Sequence, residues 1–239
     1  MTWSILARDT GHGGGRLGVA IASRFFAVGA LCVHTRADVG AIATQALVNP
    51  MYGTQGLALL AAGHNAAAVV AALTAADAGR AQRQVHVLPW QGAAAVHTGT
   101  GCVDWCGHLV QDSISLAGNM LAGPQVLQAS AQAFADSKGQ TLAERLIAAL
   151  VAGDAAGGDK RGRQSAALRI QGPEDYPELD LRVDDHDSPF AELQRLHAKS
   201  LERFQPFLTC LPRRAMPAGE LDRSRIEAAI EYFNRKTPP

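Results

Sequence analysis

The sequence predicts an α+β fold, a four-layer αββα sandwich in which two mainly antiparallel sheets lie between helical layers. Two observations carry that expectation. Short alternating or apolar runs come in blocks, separated by paired alanine- and leucine-rich segments, so the order is strands, two helices, strands, two helices, strands. Blocks of this kind favour segregated antiparallel sheets over the alternation of a doubly wound parallel sheet. The second observation is composition: 47% hydrophobic residues across 239 positions can bury a sizeable core, and two stacked sheets with helices outside give every apolar face a partner.

The elements follow in order. Residues 2–8 alternate, residues 17–23 form a second apolar run, and the glycine-loaded stretch 9–15 between them reads as a hairpin turn. Residues 30–34 and 39–44 read as strands, closed by Asn49-Pro50. Helices are expected at 52–62 and 65–76, with Asn65 as N-cap and Asp77-Ala78-Gly79 as the stop. Three more strands are expected at 84–89, 93–97 and 113–117. Gly123 opens a helix to residue 135 with Pro124 in its favoured first turn, and Thr141-Leu142-Ala143-Glu144 is a capping box starting a helix to residue 152. Strands at 164–170 and 179–184 complete the sheets, and residues 189–203 form a closing helix. Residues 1–205 therefore read as one domain. Residues 206–239, proline-punctuated before a last helix at 220–235, read as an extension.

Charge narrows the function classes. Lysine plus arginine equals aspartate plus glutamate at 22 each, so no net field recruits nucleic acid or anionic lipid. Charged residues make up 18%, below the roughly 25% of an average domain, and this leaves surface for subunit contacts, so a homo-oligomer is expected. The four cysteines have irregular spacing and no CxxC pair, as reduced thiols do. No basic leader precedes an apolar run, and no stretch approaches the roughly 20 apolar residues of a membrane span. A cytoplasmic protein with neither membrane nor nucleic-acid partner is expected.

The first strand carries the chemistry. If residue 1 is removed, Thr2 presents an α-amine beside its own hydroxyl, and an amine with a reference pKa of about 7.7–8.0 is partly neutral at physiological pH. Such a threonine carries its own base. Gly118-Asn119, between a strand and the Pro124 helix, either shapes a turn or presents an anion-stabilising donor, backbone N–H or Asn119 amide. Gly157-Gly158-Asp159-Lys160-Arg161-Gly162-Arg163-Gln164-Ser165 is the densest polar stretch; it is either a solvated loop or a charged-ligand site.

Five segments, residues 2–9, 18–29, 40–46, 118–123 and 157–166, resemble an uncharacterised prokaryotic family placed in the N-terminal nucleophile (Ntn) hydrolase superfamily, the group of proteasome β subunits and several amidohydrolases. The resemblance covers roughly residues 2 to 200 and implies the αββα sandwich and an amide-hydrolysing ancestry. It implies Thr2 as nucleophile and base, Asn119 as oxyanion donor, and Asp159 and Ser165 as orienters of the Thr2 amine. Ser23, Arg24, Gln45, Lys160 and Arg163 are the expected substrate contacts, and Lys160, Arg161 and Arg163 of the polar stretch are the cations expected to hold a substrate carboxylate. The pattern also departs from proteasome subunits: Ala22 stands where they have an aspartate, and no lysine occurs before Lys138. Proteasome-like proteolysis is therefore not expected.

His86, His97, Cys102, Cys106 and His108 crowd one region, but their spacing fits zinc loosely; buried thiols and strand histidines account for them better, and neither metal nor cofactor is expected. Three functions remain open: an Ntn amidohydrolase on a small amide or peptide-like metabolite, a non-catalytic small-molecule-binding protein on the same scaffold, and a structural oligomer subunit.

Overall fold

The structure, a computed structural model, describes residues 2–11 and 15–236. The turn expected at 9–15 falls partly outside them. Two antiparallel sheets and eight α-helices are present among the described residues. The larger sheet holds six strands: β1 (Thr2–Asp9), β2 (Arg16–Ser23), β7 (Trp105–Gln111), β8 (Ile114–Leu121), β9 (Ser165–Gln171) and β10 (Pro177–Val183), in the order β10-β9-β2-β1-β8-β7. The smaller holds β3 (Val33–Arg36), β4 (Gly40–Ala46), β5 (Arg83–Pro89) and β6 (Ala95–Thr98), in chain order.

Alternation on β1 and β2 determines what each face meets. Trp3, Ile5, Ala7, Ala20 and Ala22 turn towards α4 (Gln125–Asp136) and α5 (Leu142–Ala155), joining Val126, Leu146 and Leu150 in the largest core cluster. Gly18 lies under α5, where an added Cβ would run into the Leu146 Cδ1 and force that side chain to shift. Leu6, Leu17, Val19 and Ile21 point the other way and meet Ala41, Ala43 and Leu88 of the smaller sheet. The outer face of that sheet packs Ile42, Val85 and Val87 against α2 (Met51–Ala61) and α3 (Ala66–Ala75).

The local start signals form as read. The Asn65 side chain accepts from the Ala68 N–H, and Thr141 and Glu144 make the reciprocal bonds of a capping box. Two elements differ. Residues 30–32, expected to open a strand over 30–34, belong instead to the short helix α1 (Val28–Cys32) ahead of β3. Tertiary anchors override β propensity there: Ala27 adopts a left-handed φ of 52°, its N–H donates to the Asp184 carbonyl, and the Val28 N–H donates to Ser165 Oγ. Conversely, β7 was not legible because it is a half-exposed edge strand containing Gly107 and His108, without the strict alternation of a half-buried strand.

Beyond α6 (Pro189–Glu202), α7 (Phe204–Leu208) and α8 (Arg223–Lys236) form the extension, tied back by an ion pair between Arg203 and Glu227. Among the described residues no helix is long and apolar enough to cross a membrane.

Candidate functional site

Backbone register assembles the site. Thr2 pairs with Ser23 on β2 and with Asn119 on β8, and Ser23 pairs with Ser165 on β9. Directly opposed residues share a face, so Asn119, Thr2, Ser23 and Ser165 form one polar row across four adjacent strands. All four are buried, and the Thr2 hydroxyl lies 3.0 Å from the Ser23 hydroxyl.

The row opens on a cleft of about 320 Å³. Thr2, Ser23 and Gln45 line it together with Phe25, Val28, Leu31, Leu47, Val48, Arg83 and Arg161. A larger cavity of about 560 Å³ lies at the other end of the same strands, among Asp9, Arg16, Leu142, Tyr176, Leu208 and Phe233. None of the sequence-predicted site residues lines it.

Behind Thr2, a polar network fills the space between the sheets, and its hydrogen-bond directions follow from its fixed acceptors. Gln45 Nε2 donates to the Ala117 carbonyl at 3.1 Å and to Gln84 Oε1 at 2.7 Å, so Gln45 Oε1 must accept; it does so from Ser4 at 2.6 Å. Ser4 has one proton, already used. His86 Nε2, 2.8 Å from Ser4 Oγ, is therefore the protonated ring nitrogen, and His86 Nδ1 accepts from Ser115 at 3.0 Å. Gln84 Nε2 is held by the Gly107 and Gly118 carbonyls and by Thr98 Oγ1. Asn119 Nδ2 donates to Gln84 Oε1 at 3.2 Å and to the Thr2 carbonyl at 3.4 Å.

This network is neutral. Burial, with the nearby charge on His108 second, lowers the His86 pKa to about 3. Its effect at Thr2 is positional, because both side-chain hydrogens of Asn119 are committed and one of them braces the Thr2 carbonyl.

The polar loop 157–165 reaches the row indirectly. Gly157, Gly158 and Gly162 adopt positive φ, which folds the loop so that Asp159 bridges to Leu121. The buried Asp159 carboxylate accepts the backbone N–H groups of Arg24 at 3.0 Å and Arg161 at 2.8 Å. Ser165 Oγ donates to the Phe25 carbonyl at 2.6 Å. Asp159 and Ser165 thus fix the turn that follows Ser23. Lys160 and Arg163 turn to Asp104, 3.9 Å away, and Asp154, 3.1 Å away. Arg24 is exposed and donates to the Arg163 carbonyl at 3.4 Å. Arg161, not Lys160 or Arg163, lines the cleft.

Sequence reading missed Arg83 and the network residues Ser4, Gln84 and Ser115, and took His86 only as a strand histidine. Arg83 donates to Asp77 and to the Leu47 carbonyl, holding the 45–49 segment. Asp77 is kept below the usual carboxylate range by bonds from Tyr52, the Gly79 N–H, Arg83 and Asn49. The network had a signal: Ser4, Gln84, His86 and Ser115 are polar residues on otherwise apolar strands, spaced by two where they share a strand.

Cys32 lines the cleft, but burial pushes its thiol up to about 12, which suppresses the reactive thiolate. Among the described residues no three His, Cys, Asp or Glu side chains are placed to hold a metal ion, and His86 has both ring nitrogens occupied by serines.

Backbone strain concentrates here. Ala27, Ala46 and Met120, three of the five non-glycine residues with positive φ among those described, flank the turn after Ser23, Gln45 and Asn119. Each such residue costs about 1–3 kcal/mol, and strain of this kind gathers where geometry serves a site.

The fold recurs elsewhere. Protein SPO2555 from Silicibacter pomeroyi, a crystal structure described under DUF1028, matches with a TM-score of 0.84 at 32% sequence identity, over 92% of this chain and 99% of that chain. No curated protein matches the chain. The family model DUF1028, a family of unknown function, matches residues 2–193, and the chain belongs to that family.

Proposed function

We propose that the protein is an amide hydrolase of the N-terminal nucleophile type, acting on a small amide through Thr2 once residue 1 has been removed. One observation carries the reading: the Thr2 hydroxyl lies at the end of a central strand, lines a cleft, and stands 3.0 Å from a second hydroxyl, that of Ser23. The two sheets with helices outside suit the four-layer sandwich of that superfamily. The freed amine of Thr2 takes the Oγ proton as Oγ attacks the amide carbonyl. The C–N bond then breaks, the amine returns the proton to the leaving nitrogen, and water hydrolyses the threonine ester to release the acid. Ser23 is the nearest described partner of the attacking oxygen, while Asn119, Asp159 and Ser165 hold the Thr2 backbone and the following turn in place.

A non-catalytic binding protein is the second reading. It is favoured by the committed Asn119 and Gln45 amides and by the absence of any lysine before Lys138.

The test begins with intact mass after expression at near-native level, followed by labelling with a hydroxyl-reactive β-lactone. The expected result is a mass lacking one methionine and an acyl adduct on Thr2, retained in Thr2→Ser and absent in Thr2→Ala. A full-length mass in folded, natively expressed protein, or equal labelling of Thr2→Ala, overturns the hydrolase reading and leaves the binding one.

A further inference from the structure

The cleft in front of Thr2 has two kinds of wall. One is apolar and largely open to water: Phe25 is 54% exposed, Leu31 41% and Leu47 63%. Residues held this way on a loop rim lose the free energy their burial would supply, about 25 cal/mol for each Å² left in water, and grouped exposed apolar side chains mark binding surfaces. The other wall is cationic. Arg161 lines the cleft with its side chain about half exposed, and Arg24 stands beside the same loop.

The charges along this edge have partners: Lys160, Arg161 and Arg163 stand against Asp104, Asp159 and Asp154, Asp185 bonds the Gln164 side chain beside them at 3.0 Å, and Asp77 answers Arg83. Of Arg24, Lys160, Arg161 and Arg163, Arg161 is the one that lines the cleft, so a guanidinium meets what enters there. A cleft of about 320 Å³ is at the small end of ligand sites, too small for a folded partner to fill with more than a side chain.

We infer that the cleft takes an N-acyl amino acid, an amide with an apolar acyl chain on one side and a carboxylate on the other. The acyl chain lies on Phe25, Leu31 and Leu47, the carboxylate meets Arg161 with Arg24, and the amide carbonyl falls at Thr2. A guanidinium bonds a carboxylate through paired N–H donors, which sets the direction in which the amide enters. This assignment rests on the Thr2 reading for the fate of the amide, although recognition requires no turnover.

The probe is N-hexanoylglycine, titrated calorimetrically into the Thr2→Ala protein. It is expected to bind about tenfold or more tightly than N-hexanoylglycinamide, which lacks the charge, and than N-acetylglycine, which lacks the chain. Arg161→Gln is expected to abolish the preference over the glycinamide, and Leu47→Ser the preference over N-acetylglycine; both residues are exposed, so the fold is kept. Equal affinity for all three compounds, absence of binding, or unchanged preferences in both variants overturns the inference. So does a dimer that Phe25→Ser and Leu47→Ser dissociate without any ligand binding, since the rim then belongs to a second copy. If the unsubstituted protein binds N-hexanoylglycine but releases no hexanoate, recognition stands and Thr2 chemistry fails. If it hydrolyses N-acetylglycinamide as fast as N-hexanoylglycine, Thr2 chemistry stands and this recognition fails.

Discussion

The layer between the two sheets is built from the same strands at both ends but from opposite chemistry. At one end Leu6, Leu17, Val19 and Ile21 meet Leu88 with no polar atom among their side chains. At the other, Ser4, Gln45, Gln84, His86, Ser115 and Asn119 exchange hydrogen bonds through the layer. The apolar end gains stability in proportion to buried area, and losing one side chain removes one contribution. The polar end differs because each member satisfies another, so its stability depends on completion. Only this end opens to solvent beside Thr2, where the network fixes a carbonyl whose position matters to the proposed chemistry.

The contrast can be broken from the apolar side first. Leu6→Ala should cost about 2–5 kcal/mol of unfolding free energy in urea titration, from lost burial plus a cavity, while leaving the Thr2 cleft and its ligand preferences unchanged. A smaller but less local effect is expected from Gln84→Leu. It strips donors from the Gly107 and Gly118 carbonyls and an acceptor from Asn119 and Gln45, at about 1–3 kcal/mol for a buried group left unpaired. It should also loosen Thr2, seen as slower acylation by the β-lactone. Equal effects of the two substitutions on acylation would show that the network does not position Thr2.

The finest distinction is pH. The folded protein keeps His86 neutral down to about pH 3, whereas the unfolded chain takes up a proton near pH 6.5. Its stabilising contribution is therefore full above about pH 6.5 and falls as acid favours the unfolded state, by up to about 1.4 kcal/mol for each pH unit towards pH 3. His34 and His197, also lowered by burial, tilt the curve the same way, so the informative quantity is the difference from His86→Gln. The variant should show a shallower decline between pH 6 and 4; parallel curves would mean that His86 is already protonated in the folded protein.

What was legible in the sequence is what depends on near neighbours. Asn65, Thr141 and Glu144 announce helix starts because their partners lie within one turn, and the alternation of β1 and β2 shows two buried faces. Residues 30–32 misled because the bonds that start their helix come from Asp184 and Ser165, more than a hundred positions away. The site divides in the same manner. Thr2, Ser23, Asn119 and Ser165 were each named, but nothing in their spacing put them in one row, since register is a property of paired strands. Among the cations of the 157–165 loop, local sequence could not separate Arg161 from its neighbours. Asp104 and Asp154 engage Lys160 and Arg163, and only the folded loop shows which arginine faces the cleft.

The central position of the first strand has a consequence for how the protein is made. β1 is made before its neighbour β8, and β2 before its neighbour β9. At roughly 5–20 residues per second, translation reaches the end of β9 roughly 10–30 s after it passes β1. Thr2 is 6% exposed once those strands arrive. If the proposed chemistry holds, the Thr2 amine must therefore be freed while the chain is still growing, in the seconds before β1 becomes the middle of a sheet.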